Sequence, residues 1–517
     1  MSSLPSSPSL PLPSSGVLAQ RRHLPREPKI AFLQPGQLVP LDALDALHSF
    51  NVSTPGLAIL GGLMDAGFAD VHFLDIACEH GDLVRPFNDH VAYKGMADAG
   101  VLSWLGALQP DVVLLTSMFT CDFPATDHAV NLARQALPKA LIIIGGRHAS
   151  LMPHWHLANA NLDLLVQGEG EQTLATLLSV LAGRQPHVDL GQIPGVLTAE
   201  NLGSVSPKAW PEAKLGGTFA WDTVLFKPDG GWRYKETILQ NSPKDFLYKQ
   251  GATALRSAPL LPTRGCPLAC RFCGSHFTPD MRPVGVDRLF DDIKRLHDQG
   301  VRIYYNISEN FCLEPEDRKL VRKIADFRDK VGGELVLTNP NSTFLPTYMQ
   351  GKTPDLEHIE LLRRAGTDLI TISLETFSPR FDDKKLFKKY TMDQVEALWR
   401  QLRAVGLQVH LYMMTGFPEQ TLEELLSDIA QIRDWLQRGL IDAASWSNLL
   451  YLPGTPYYRD AIAKGHFDEA LFREWIYKGF NFFAVPERFN FSAVPTPVLR
   501  EVLARLRMGN YDMTGLG

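Results

Sequence analysis

Cysteine is scarce in this chain, with six in 517 residues. Over such a length that excludes a disulfide framework. Charge of one sign is not in excess. Lys and Arg number 51 against 57 Asp and Glu, a net charge of −6, which argues against a nucleic-acid scaffold. Long apolar runs are missing too. Stretches such as Val112–Leu115 and Ala140–Ile144 are far too short to cross a bilayer. Met1–Pro28 is rich in Ser and Pro without a continuous apolar core, so it reads as a disordered leader and not as a secretory signal. Arg21–Arg22 runs into His23-Leu24-Pro25, which argues against a twin-arginine export signal. What is left is ordinary globular composition, at a length that suggests two to four domains.

Half of the cysteines sit in one loop. Thr263–His276 reads TRGCPLACRFCGSH, which spaces Cys266, Cys270 and Cys273 as C-x3-C-x2-C. Gly265 and Pro267 bend the backbone there, so three thiolates can reach one metal centre. A [4Fe–4S] cube is held by Cys thiolates. Three cysteines leave one of its irons without a protein ligand, open to a small molecule, which is what a catalytic cluster needs. Spacing alone leaves zinc open as well, because Cys273-x-x-His276 completes a Cys3His set.

The loop resembles the signature of the radical S-adenosylmethionine (SAM) superfamily, with the aromatic Phe272 beside the last cysteine. The resemblance implies that SAM chelates the open iron through its amino and carboxylate groups. An electron from the cluster then cleaves it to methionine and a 5′-deoxyadenosyl radical. With this resemblance the cluster replaces zinc as the expected centre, and a reducing, cytoplasmic setting low in oxygen is expected.

From residue 256 to 465 the pattern is strand, loop, helix, repeated. Strands are expected at Ala258–Thr263, Arg302–Ser308, Glu334–Thr338, Leu369–Leu374, Gln408–Met414 and Ser445–Leu450. Thr391-x-x-Gln394 and Thr421-x-x-Glu424 are capping boxes that open helices. Six βα units fit a partial (β/α)6 TIM-type barrel, whose site lies at the carboxyl ends of its strands. The stretch resembles the radical SAM core. By position, the resemblance puts Glu309 near the SAM amino group and Glu375 near its ribose or methionine part. Gly416 and Pro418 match a G-x-P turn that packs on the adenosine. Cys312 follows Glu309-Asn310-Phe311 and is the candidate to deliver a proton or hydrogen atom, with packing as the other reading.

Residues 29–206 alternate short apolar strands with helices: Lys29–Gln34, Val71–Asp75, Asp111–Ser117, Ala140–Ile144 and Asp163–Gln167, with Pro55–Ala66, Ala129–Ala136 and Glu171–Leu181 between and after them. That is the pattern of an α/β, doubly wound Rossmann-like domain. Its ligands sit beyond the carboxyl ends of the strands, where Ser117–Phe123, Gly145–His148 and Gly168–Glu171 fall. GGRHAS at Gly145–Ser150 and GEGEQT at Gly168–Thr173 resemble the cobalamin-binding domain that precedes many radical SAM domains. The resemblance makes Ser117, Gly145, Gly146, His148, Gly168 and Glu169 cofactor-binding candidates. The motif D-x-H-x-x-G is not matched, since Asp75 stands where its Gly belongs after Asp70-Val71-His72. His72 reads as an ordinary strand residue. Cys121, on the loop after the third strand, either faces the corrin or is a small buried hydrophobe. Gly-Gly pairs alone are equally consistent with a Rossmann-like domain that binds nothing.

Residues 207–255 read as a linker steadied by Trp210, Trp221 and Trp232. Residues 466–517 read as a small, mainly helical segment with helices near Asp468–Tyr477 and Thr496–Met508. Phe480, Phe482, Phe483, Phe489 and Phe491 crowd between them, more as core than as a ligand platform.

The order of domains resembles the cobalamin (B12)-dependent radical SAM enzymes. It implies a methyltransferase in which cobalamin takes a methyl group from one SAM. A second SAM supplies the radical that removes a substrate hydrogen, and the substrate radical takes the methyl. Carbon, or phosphorus, would be the acceptor atom, in a small-molecule or peptide substrate. An external electron donor such as flavodoxin or ferredoxin is implied, and neither nucleic acid nor membrane. The same cofactors without net methylation, in a cyclisation or ring rearrangement, form one alternative. A non-catalytic cobalamin-binding protein is the other.

Overall fold

The computed structural model describes residues 23–41, 53–79, 83–202, 217–234, 255–339, 341–383, 386–479 and 487–515. Two compact units divide them. One is the chain up to Tyr234 together with Arg473–Gly479, and the other is the rest from Lys235. Most of the expected leader, Trp210 and the trio Phe480, Phe482 and Phe483 lie outside the described residues.

In the first unit the strands are β1 (Ile30–Gln34), β2 (Gln37–Pro40), β3 (Val71–Asp75), β4 (Val84–Pro86), β5 (Val91–Lys94), β6 (Val112–Thr116), β7 (Leu141–Gly145), β8 (Leu164–Val166) and β9 (Val196–Leu197). Six of them form one sheet in the order β3-β1-β6-β7-β8-β9. The first five strands of that order run parallel and β9 runs antiparallel to β8. Strands β6 and β8 are buried along their whole length, as apolar strands between two helical layers must be. Strand order reverses between β1 and β6, and that switch point is where doubly wound sheets open a crevice. A second sheet, β2-β5-β4, is antiparallel. The sequence reading missed it, because strands of three or four residues are too short to show a period, and β2 meets β5 across some fifty positions. It also missed the helix Asp98–Leu108, and it started the helix Phe123–Ala136 too late.

The helix Thr54–Asp65 shows how closely this unit is fitted. Ser53 caps it by accepting from Gly56 N, and Pro55 stands in its first turn. A Cβ on Gly61 would lie 1.6 Å from the Thr218 carbonyl oxygen. Ala220 N donates to Leu57 O at 3.0 Å, and Trp221 is buried. Residues 217–234, read from the sequence as linker, therefore pack onto this helix as part of the first unit.

The second unit contains β10 (Arg256–Leu260), β11 (Thr263–Arg264), β12 (Arg282–Pro283), β13 (Val301–Asn306), β14 (Val336–Thr338), β15 (Met349–Gln350), β16 (Thr353–Pro354), β17 (Leu369–Glu375), β18 (Gln408–Thr415) and β19 (Ala443–Asn448). Six of these are parallel, in two sheets of order β10-β13-β14 and β17-β18-β19. Thr343 lies alongside β17. Its N–H reaches Thr371 O at 2.9 Å and it forms a parallel bridge with Ile372. The result is an open barrel, and among the described residues nothing pairs β19 with β10. Both expected capping boxes are present, on Met392–Ala404 and Leu422–Gln437. The helix Thr496–Arg507 packs on β19, and Tyr511 Oη donates to Ala444 O at 3.4 Å. Phe491 stacks on His466 at 4.5 Å and Phe489 is buried, so the aromatics described there are core.

Gly61→Ala gains helix propensity of about 1 kcal/mol. It must also displace the backbone at Thr218, and overpacking costs about 1–3 kcal/mol. The clash should win. We expect the first unit's unfolding midpoint to fall by several degrees in calorimetry, with the second unit's transition unmoved.

Candidate functional site

The cysteine loop is the excursion between β11 and β12, which pair in antiparallel register. Cys266 N donates to Thr278 O at 2.9 Å and Cys273 N to Cys270 O at 3.1 Å, so the loop folds back on itself. Cys266 and Cys270 are buried; Cys273 and Phe272 are half-buried. Burial pushes the Cys266 thiol up. The Leu268 N–H and Asn310 pull the other way, and the nearby Cys273 and Glu309 add to the upward push. Arg271 ties the far side of the loop down. Its N–H donates to Asp383 Oδ2 at 2.8 Å, and its guanidinium pairs with Asp460 and lies over Tyr457.

Loops from the next strands close on this one. Glu309, after β13, accepts from Gly265 N through Oε2 at 3.2 Å. Asn310 donates from Nδ2 to Cys266 Sγ at 2.9 Å. Thr263 N donates to Ser308 Oγ at 3.1 Å. Asp317, 1% exposed, accepts from Thr263 Oγ1 at 2.6 Å and from Cys312 N at 3.0 Å. Cys312 is itself buried, with a left-handed φ of 62°, and burial pushes its thiol well up.

Glu375 ends β17 with φ 63°, where the register with β18 slips between Ser373 and Glu375. Such a strained bulge at a strand end is typical beside active sites. The following turn is fixed by Asp428, which accepts from Thr376 Oγ1 at 2.7 Å and from Phe377 N at 3.1 Å. Gly416, after β18, has φ 76°, and a Cβ there would lie 2.2 Å from Asn448 Oδ1. Its N–H donates to Gln420 Oε1 at 2.9 Å; Phe417 is buried and Pro418 half-buried.

In the first unit the expected residues gather at the carboxyl ends of β6, β7 and β8. Ser117 N donates to Gly145 O at 2.8 Å and Ser117 O accepts from His148 N at 3.0 Å. Gly146, at φ 104°, would set a Cβ 2.5 Å from Ser117 O, so neighbouring backbone demands this glycine. Ser150 ties two loops by donating from Oγ to Gly146 O and accepting from Gly168 N, at 2.8 and 2.9 Å. Glu169 stands at the start of the helix Gly170–Leu181. His148 points into packing, 1% exposed among Phe123, Trp155 and His156, and burial lowers its pKa to about 3. The Cys121 thiol, 3.8 Å from Asp122 Oδ1, is pushed up by burial. His72 lies in β3 and meets Asp70 at 2.6 Å.

The first unit is thus a doubly wound sheet, and the second carries three thiols after the first of its parallel strands. Residues 48–178 match the B12 binding domain and residues 260–432 the radical SAM superfamily. The chain is a radical SAM enzyme with a B12-binding domain in front. Among curated relatives, it is 24% identical to cytidylyl-2-hydroxyethylphosphonate methyltransferase of Streptomyces wedmorensis, over 81% of this chain and 80% of that one. It is 26% identical to anaerobic magnesium-protoporphyrin IX monomethyl ester cyclase of Cereibacter sphaeroides, over 78% of this chain and 59% of that one. Its fold is shared with TsrM from Kitasatospora setae, solved with cobalamin and a [4Fe-4S] cluster, at TM-score 0.60 and 18% identity over 84% of this chain and 78% of that one.

Three thiols on one short loop have the ligand chemistry of an iron–sulfur centre, although among the described residues no three His, Cys, Asp or Glu side chains are gathered closely enough to hold a metal ion. At the edge of the first unit, Thr116 Oγ1, Ser117 Oγ, both ring nitrogens of His148, His156 Nε2 and Gln167 Oε1 are buried without a hydrogen-bond partner. Buried polar atoms are usually satisfied; atoms of this kind also occur elsewhere among the described residues, and those of His148 and His156 face aromatic rings, so they do not by themselves mark a ligand site. Sequence reasoning missed Asn310, Asp317 and Ser150. Asn310 and Ser150 stand inside quoted motifs, but only their folded partners give them a part to play.

Burial holds the Asp317 carboxyl at about 6, against about 3.9 for an unfolded Asp. The native state keeps a proton that the unfolded chain has lost, so this group's stabilising contribution is full below about pH 4 and is lost as pH rises through about 6. Asp317→Asn stays neutral and offers one acceptor to two donors. It should be less stable than the wild type, with the gap in denaturant midpoint narrowing from pH 5 to pH 7. A gap that widens with pH would contradict the burial argument.

Proposed function

We propose that this protein is a cobalamin-dependent radical SAM methyltransferase acting on an unactivated carbon, or phosphorus, of a small molecule or peptide. One observation carries the reading: a B12-binding domain and a radical SAM domain with a three-thiol loop occur in a single chain. When bound, the cluster with SAM supplies one-electron chemistry and the corrin supplies a methyl carrier.

The polypeptide binds and orients. Cys266, Cys270 and Cys273 hold the cluster, with Phe272 beside them. Glu309 and Glu375 set carboxylates against the cationic parts of SAM, which fixes its orientation. Gly416 and Pro418 shape the turn along its adenosine. Ser117, Gly145, Gly146, Gly168 and Glu169 line the corrin edge, and His148 supports them from below. Cys312 either packs in its turn or delivers a proton or hydrogen atom; burial raises its thiol, which keeps the S–H that such delivery would use. A reduced flavodoxin or ferredoxin would supply electrons in the cytoplasm, and nucleic acid takes no part. No helix described is long and apolar enough to cross a membrane. A second reading, radical ring formation without methylation, is favoured by the likeness to the cyclase.

Anaerobic reconstitution with iron, sulfide, hydroxocobalamin, dithionite and SAM separates the two. The methyltransferase reading expects S-adenosylhomocysteine together with 5′-deoxyadenosine by mass analysis, whereas deoxyadenosine alone supports ring formation. Changing Cys266, Cys270 and Cys273 to Ala should remove both iron and deoxyadenosine. Ser117→Ala removes the hydroxyl and adds no bulk at this buried position. If that hydroxyl serves the corrin, hydroxocobalamin retention should weaken by about tenfold, the ~1.4 kcal/mol of one hydrogen bond.

A further inference from the structure

Asn310 is 4% exposed, and both ends of its amide are engaged. Phe344 N donates to Oδ1 at 3.1 Å, and Nδ2 lies 2.9 Å from Cys266 Sγ. The two contacts fix the amide's orientation. Turned over, it would set an NH2 against the Phe344 N–H, donor against donor, and a carbonyl oxygen against the sulfur. Asn310 therefore aims an N–H at one cysteine of the three-thiol loop and is held there by the loop after β14.

From this geometry we infer that Asn310 is a positioning residue that sets the reduction potential of the cluster, by donating a hydrogen bond to the Cys266 sulfur. The inference rests on the cluster reading above. A reduced cluster carries one more electron than an oxidised one, and much of that charge lies on sulfur. A donor to sulfur stabilises the reduced form more, and so raises the potential. Glu309, near the same thiol, acts in the opposite sense. The pair places a donor and a carboxylate beside one ligand, and the balance between them decides how readily the cluster accepts its electron.

Asn310→Asp tests this with little change of shape. It keeps an oxygen for Phe344 N and replaces the N–H with a second oxygen. Asn310→Ser keeps a hydroxyl that can still donate. Iron content and the midpoint potential of the cluster's EPR signal are measured on reconstituted full-length protein. Asn310→Asp should retain iron and shift the midpoint to more negative values by at least a tenfold change in the reduction equilibrium, ~59 mV for one electron. Asn310→Ser should fall between it and the wild type. Full iron with an unchanged midpoint in Asn310→Asp overturns the inference. So does loss of iron from both variants, which would make Asn310 a builder of the loop and not a tuner of the cluster. Wild-type protein that takes up no iron would instead overturn the reading beneath it.

Discussion

The carboxylate of Asp317 holds Thr263, where the cysteine loop begins, to the backbone of Cys312, where the next strand's loop turns. The rest of the candidate site depends on that fastening. The cysteine loop is closed at its base by the short pairing of β11 with β12 and held on its far side by Arg271. Its position comes from polar side chains on neighbouring strand ends: Ser308 on Thr263, Glu309 on Gly265 and Asn310 on Cys266. Remove the buried acceptor, and two donors lose a partner in a place water does not reach.

The half-barrel uses the same device twice. Asp317 lies in the helix after β13, and Asp428 lies in the helix after β18. Each reaches a turn that carries a carboxylate proposed to face SAM. Asp317 steadies the loop of Glu309, and Asp428 takes Thr376 and Phe377 beside Glu375. Burial pushes both buried carboxyls up to about 6, which is the cost of desolvation set against the hydrogen bonds each accepts. Rigid turns built at that cost hold the neighbouring carboxylates of Glu309 and Glu375 in one geometry, which is what orienting a flexible cofactor requires.

In the first unit the edge is built by close fit instead. Gly146 lies against the backbone of Ser117, and Ser150 stitches the loop after β7 to the one after β8. His148, which motif position alone marks as a ligand contact, is packed under aromatic rings.

Much of this was legible in the chain alone. The apolar strands at Ile30–Gln34, Val112–Thr116 and Leu141–Gly145, the two capping boxes and the cysteine spacing are local patterns. Local periodicity and local chemistry suffice to read them, and they determined the domain order and the cofactors. The small antiparallel sheet, the packing of Gly217–Tyr234 on the first long helix, the inward turn of His148, and the parts played by Asn310, Asp317 and Ser150 were decided only by the tertiary structure. Each depends on contacts made only on folding, and a hydrogen bond or steric contact depends on where two groups meet in space, which spacing along one strand does not encode.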